Sequence, residues 1–322
     1  MAYLRKRLFH LVPVFFLVTF ASFMLVNLLP GDVVDAILAD DDAAVINDPE
    51  IRRQIEIELG LDKPLVVRYV VWLGDLMQGD LGRSYITRKK IGDLLAQRIP
   101  VTFQLMVMSL GFALVIAIPL GVLSAFRSNT ALDRWISATA FGIVATPPFV
   151  TAILFIWFFA VVLKILPAAG HAPMFLGVWE NLKYFMLPML AIGLSEVPIF
   201  LRVLRVDMIT TLQEDYIALA KAKGMSARYI LFRHAFRPSS FTLVTVLGLQ
   251  VGRLISGLVI VENIFALPGV GKLLIDSIDA RDVLVVQAVV TFAAIAYVGI
   301  NLTVDIIYAV LDPRVNRRAA EA

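Results

Sequence analysis

The sequence has no cysteine, three histidines and only 17% charged side chains over 322 residues. Without cysteine there is no disulfide, no thiolate metal site and no sulfur nucleophile, so thiol and redox chemistry are excluded. The histidines, at positions 10, 171 and 234, show neither H-E-x-x-H spacing nor a Ser-His arrangement inside an apolar run, so an intramembrane hydrolase would lack its catalytic groups. A soluble domain carries about 25% charged residues. Here 59% of the residues are hydrophobic, the composition of a membrane protein. The net charge of +3 is scattered rather than gathered on one face, so nucleic acid is not a partner.

Long apolar runs occupy 8–29, 101–126, 135–163, 184–201, 239–261 and 283–304. A helix needs about 20 such residues to cross the hydrocarbon layer, so the pattern predicts an all-α membrane protein with six transmembrane helices. The basic stretch MAYLRKR before the first run imitates a signal peptide, but the run is too long and the following NLLPGD offers no small-x-small cleavage site. The first helix, 1–29 with its N-terminus, is therefore read as retained. An inside start places 127–134, 202–238 and the tail 312–322 in the cytoplasm, and 30–100, 164–183 and 262–282 outside. The inside segments then carry fifteen lysines and arginines and the two short outside loops four, as the positive-inside rule requires. Segment 30–100 is too long to count in that rule. Its helical periodicity, with Tyr69, Trp72, Leu73 and Leu76 on one stripe, predicts an outer cap of short helices.

The outer stretch IFALPGVGKLL, residues 264–274, imitates a phosphate-binding loop. G-x-x-x-x-G-K-[ST] needs a first glycine and a hydroxyl after the lysine, where this chain has Ala266 and Leu273. Gly269, Gly271 and Lys272 instead read as a Pro-Gly turn opening a short helix.

The cytoplasmic loop of 202–238 is far longer than a helix hairpin requires. Within it, EDYIALAKAKGMSARYILFRHAFRP predicts two short helices: Gly224 is suited to the left-handed position that ends the first, and Ser226 to the N-cap of the second. Small residues near the end of the first helix, with Lys221, Lys223, Arg228 and Arg233 around them, suit either a docking knob or a hairpin lying on lipid headgroups.

Polar residues inside spans need a reason. Arg253 lies among Gly252, Ser256 and Gly257, and either meets a solute carboxylate in a pathway or pairs with Glu196 of the fourth span. Pro147 and Pro148 interrupt the backbone ladder of the third span, which predicts a kink, beside a pathway or in packing alone.

EDYIALAKAKGMS followed by RHAFRP resembles the EAA loop of ABC importer permeases in the form it takes in the dipeptide and oligopeptide permease family. NLLPGD, ELGLDKPLVVRYVVWLGDLMQGDLGRSY, VTFQL, IVENIFALPGVGKLLIDSIDARD and LDPRV resemble further landmarks of that family, in order along nearly the whole chain. The generic E-A-A-x-x-x-G pattern is only half kept: Ala218 stands in the glutamate slot and Leu219 in the middle slot, while Ala220 and Gly224 fit.

The resemblance implies a permease domain over 101–311, a cytoplasmic coupling hairpin in 202–238, and ATPase contacts from Glu214, Asp215, Tyr216, Ala218, Ala220, Lys221, Ala222, Gly224 and Arg233. It implies Phe265, Pro268, Gly269 and Gly271 as an outer gate or binding-protein contact, with Arg253, Glu196, Pro147 and Pro148 as candidate pathway residues. The implied assembly adds a second homologous permease, two ABC ATPase subunits and an extracytoplasmic solute-binding protein, in a bacterial inner membrane with both termini cytoplasmic. ATP and Mg would be held by the ATPases and no cofactor by this chain. Solutes in the family include dipeptides, oligopeptides, glutathione, nickel chelates, opines and sugars. The alternative is a secondary transporter driven by an ion gradient, which should show inverted repeats and leaves the long cytoplasmic loop without a purpose.

Overall fold

The structure, a computed structural model, describes residues 12–24, 49–58 and 62–311. Arg5, Lys6, Arg7, the NLLPGD stretch and the 312–322 tail lie outside the described residues, and with them the expectations for the two termini. The described elements are helical apart from one isolated antiparallel bridge between Arg83 and Lys90. The α-helices of eight residues or more are, in chain order, α1 (Val12–Met24), α2 (Pro49–Glu58), α3 (Leu65–Met77), α4 (Ile91–Phe126), α5 (Ala131–Val144), α6 (Pro148–Phe155), α7 (Val178–Leu212), α8 (Asp215–Ala222), α9 (Arg237–Ile264), α10 (Val270–Asp279) and α11 (Val283–Leu311).

Among the described residues four continuous helical stretches are long and apolar enough to cross a membrane: Ile91–Phe126, Val178–Leu212, Ala227–Ile255 and Val283–Val304. Ala131–Val144 and Pro148–Val162 together are also long and apolar enough, and would make a fifth if they are one span, but they meet at 93°. Of the first expected span only the shorter apolar helix α1 is described. The kink expected in the third span is therefore a sharp corner. Pro147 and Pro148 both lack an amide donor, so the ladder stops, and Pro148 restarts it at the first helical position where no donor is needed. Past α6 the backbone widens into a π-helix over Ile156–Val162.

Helix α7 contains 35 residues although its apolar run has only 18, and α4 starts at Ile91, ten residues before the apolar signal. Hydropathy marks only the part inside hydrocarbon. At 1.5 Å per residue α7 is ~50 Å long against a core of ~30 Å, so its last turns carry the hairpin that follows clear of the bilayer.

α4 and α7 form the centre of the molecule. A Cβ on Gly193 would come within 2.6 Å of the Phe112 ring and 2.8 Å of the Ser109 carbonyl, and one on Gly121 within 3.3 Å of the Leu201 carbonyl, so two glycines let the helices touch backbone to side chain. Leu105, Phe185, Phe200, Leu204 and Met208 fill this contact, and Leu258 of α9 closes it. A second apolar cluster joins Ile91 and Leu95 of α4 to Val270 and Leu273 of α10 and Val285 and Val289 of α11.

α2 and α3 lie within 30–100. The aromatic stripe of α3 packs along α1: the Tyr69 ring lies 5.3 Å from Phe20 and 5.6 Å from Phe23, and its hydroxyl 2.9 Å from Thr19 Oγ1. α1 is tied in turn to α11 through Ser22 and Thr291, 2.9 Å apart.

Candidate functional site

Two local devices shape the hairpin between α7 and α9. α8 ends at Gly224, whose φ is +74°, with its amide donating to the Lys221 carbonyl and that of Met225 to Ala220. Ser226 Oγ then accepts from the Tyr229 amide at 3.3 Å and opens a turn that runs through π-helical Ile230–Phe236 into α9. Ile217, Ala220 and Ile230 are buried against one another, with Leu212 beside them. Ala220 is thus the inward face of the hairpin. Glu214, Asp215, Tyr216, Ala218, Lys221, Ala222, Gly224 and Arg233 are exposed. Between their charges Leu219, Met225, Tyr229 and Phe232 form an apolar surface. The Tyr216 hydroxyl donates to the His234 carbonyl at 3.2 Å, and burial, with the Glu214 charge, pushes its phenol up, so it remains a neutral donor.

Sequence reasoning missed the clamp above this hairpin. Arg205 of α7 makes a fork with Asp133 of α5, Nε to Oδ1 and Nη2 to Oδ2 both at 2.7 Å, and the Asn129 amide and Ser124 hydroxyl complete the carboxylate's shell. Asp133 is buried, yet all its neighbours donate to it. The residues are 72 apart in sequence, and each stands beside other charges, Arg134 next to Asp133 and Arg202 and Asp207 around Arg205, so nothing local singles out the pair.

Glu196 of α7 is 1% exposed and is held by two side chains one turn apart on the same face of α9. Gln250 Nε2 donates to its Oε2 at 2.5 Å and Arg253 Nη2 to its Oε1 at 2.8 Å. Of the two sequence readings of Arg253 the structure shows the pairing with Glu196, and the side chain remains 61% exposed while paired. It faces a cavity of about 400 Å³ lined by Pro148, Ile192, Ser195, Glu196, Leu254 and Gly257. Pro147 stands exposed at the corner beside Pro148.

The loop between α9 and α10, expected to lie outside, is built on a residue that the sequence did not single out. Glu262, fully buried at the end of α9, accepts from Thr102 Oγ1 at 2.6 Å, from the Gly271 amide at 2.7 Å and from the Lys272 amide at 3.1 Å. Its carboxylate caps α10, the short helix expected after the Pro-Gly turn. A Cβ on Gly269 would lie 2.2 Å from the Glu262 carboxyl carbon, and one on Gly271 2.5 Å from Val259 Cα, so both positions require glycine for closeness. Lys272 Nζ is turned to Asp276 at 2.8 Å. Phe265, Gly269 and Gly271 are buried, Pro268 is half-buried, and Ala266 is exposed with a φ of +48°. The amides that a phosphate loop would offer are occupied by a side chain of the same protein.

Residues 117–317 match the family described as "Binding-protein-dependent transport system inner membrane component", and residues 1–106 match the N-terminal membrane component of the same systems. The chain belongs to this family. A peptide transport system permease protein of Brucella suis biovar 1 is 37% identical over 98% of this chain and 99% of its own length. One from Brucella melitensis is 37% identical over 98% of each chain. The glutathione transport system permease protein GsiC of Escherichia coli is 33% identical over 97% of this chain and 98% of its own. Family members are transport permeases and not enzymes, in agreement with the absence of a catalytic constellation in the sequence.

Proposed function

We propose that this chain is the membrane-spanning permease subunit of an ATP-driven importer that takes up di- or oligopeptides, or a related small solute, from a solute-binding protein. The observation that carries the reading is the hairpin: an apolar surface of Leu219, Met225, Tyr229 and Phe232, ringed by Lys221, Lys223, Arg228 and Arg233, set at the end of a helix that overshoots the bilayer. Such a knob fits an apolar groove with an acidic rim on an ATPase. Glu214, Asp215, Tyr216, Ala218, Lys221, Ala222, Gly224 and Arg233 make that contact, and Ala220 sets the angle between its two helices.

The full assembly holds a second homologous permease, two ATPase subunits and an outer binding protein, with both termini of this chain in the cytoplasm. ATP and Mg belong to the ATPases. Closure of the ATPases moves the hairpin, and α7 and α9, which flank it, carry the movement to the Glu196–Arg253 cavity as near-rigid rocking. The outer loop gates the mouth: Pro268 stands at its surface, while Phe265, Gly269 and Gly271 keep its shape from within. Peptides and glutathione, the solutes in the relatives' names, share a free carboxylate, and the exposed part of the Arg253 guanidinium is suited to it.

Proteoliposomes holding the complete transporter, loaded with ATP and given binding protein outside, should accumulate a labelled peptide. Arg253→Gln should weaken uptake while binding-protein-stimulated ATP hydrolysis persists. Accumulation driven by a proton or sodium gradient without ATP would favour the secondary-transporter reading instead.

A further inference from the structure

Away from the pathway cavity a second groove opens between α5 and α7. It has a volume of about 410 Å³ and is lined by Ser137, Phe141 and Val144 on α5 and by Pro198, Arg202 and Arg205 on α7. Its two ends differ in chemistry. At the Asp133 end Arg205 is fully engaged in the clamp. Arg202, three residues back along α7 and so on the same face, is exposed and makes no hydrogen bond or ion pair among the described residues. The other end is hydrocarbon, with Phe141 65% and Val144 60% exposed. Trp135, 74% exposed at the start of the second turn of α5, is the kind of residue that sits at headgroup level.

A guanidinium with free donors at the cytoplasmic end of an otherwise apolar groove complements a molecule divided in the same way. We infer that the α5–α7 groove binds an anionic phospholipid of the inner leaflet, with its phosphate on Arg202 and one acyl chain along Phe141, Val144 and Pro198. The headgroup is anionic because Arg202 has no carboxylate of its own to balance it. A zwitterionic lipid would bring a competing ammonium, whereas phosphatidylglycerol supplies the missing negative charge. The site rests on the cytoplasmic placement of the α5 N-terminus and is independent of which solute is carried.

The test uses the complete transporter in nanodiscs of phosphatidylcholine doped with a photoactivatable phosphatidylglycerol or a photoactivatable phosphatidylcholine. Label from the first should fall within 135–144 and 198–206, about fivefold above label from the second. Arg202→Gln should bring the two to the same level with unchanged thermal unfolding, and Phe141→Trp, which fills the groove, should remove both. Equal labelling by the two lipids in the unaltered protein overturns the proposal. So does a disulfide between Ser137→Cys and the neighbouring permease, which would show the groove to be filled by protein.

Discussion

The Glu262 carboxylate lies 2.7 Å from the amide nitrogen of Gly271, so helix α10 is capped by the end of the preceding helix α9. The contact explains why residues 264–274 imitate a nucleotide loop. Glycines there let a backbone approach an anion, and the anion is a side chain.

Replacing Glu262 should therefore loosen the outer loop. Glu262→Ala leaves the Thr102 hydroxyl, the buried Gly271 amide and the half-buried Lys272 amide without their acceptor, a loss of about 3 kcal/mol. Glu262→Gln keeps one acceptor oxygen and should fall between. Thermal unfolding of the purified transporter measures the order, and an alanine variant as stable as the parent would remove the capping role.

The Asp133–Arg205 fork should show strong coupling, since the carboxylate is 4% and the guanidinium 24% exposed. Removing either charge alone, as Asp133→Asn or Arg205→Gln, should cost about 3 kcal/mol because the partner stays buried and unpaired. The double variant should lose less than the sum. Strictly additive losses in the double-mutant cycle would mean that the two side chains do not act as a pair.

At Gly224 the demand is conformational. Its φ of +74° suits glycine and nothing lies within 4 Å of an added Cβ, so Gly224→Val introduces strain of about 1–3 kcal/mol without an internal clash. The variant should insert normally and lose binding-protein-stimulated ATP hydrolysis, whereas Gly224→Asn, which tolerates the same backbone, should retain most of it. Full coupling in the valine variant would separate the hairpin from energy transfer.

The lack of native cysteine makes the topology directly measurable. Asp279→Cys on α10 and Arg228→Cys on the hairpin both replace exposed residues. An impermeant thiol reagent should label the first in sealed right-side-out cells and the second only after the inner face is opened. The reverse pattern would invert the chain.

Features that depend on near neighbours along the chain are legible in the residues themselves. The apolar runs mark the helical class and the positions of the spans, and Gly224 and Ser226 mark the hairpin boundary, because capping acts within one turn. The corner at Pro147–Pro148 is legible as a break but not as 93°, since the proline rings stop a ladder without setting the angle at which it resumes. That angle is fixed by the packing of α6 on α7. Segment 30–100 announces its helices through periodicity, yet the partner of the Tyr69–Trp72 stripe is α1, which no local pattern names.

The order of residues thus specifies a helical membrane protein with a long-loop hairpin and an incomplete imitation of a phosphate loop. How its charges pair is settled by the fold. Glu196 and Arg253 are 57 residues apart, and their spacing leaves open whether the guanidinium meets a carboxylate of the protein or of a solute. The fold pairs them and still leaves Arg253 facing a cavity. Asp133 and Arg205, and Glu262 with Thr102, carry no local mark because a buried ion has no periodicity. Its cost in hydrocarbon forces it to find donors, but the donors are chosen by which helices cross: α7 with α9 for Glu196, α5 with α7 for Asp133 and α9 with α4 for Glu262.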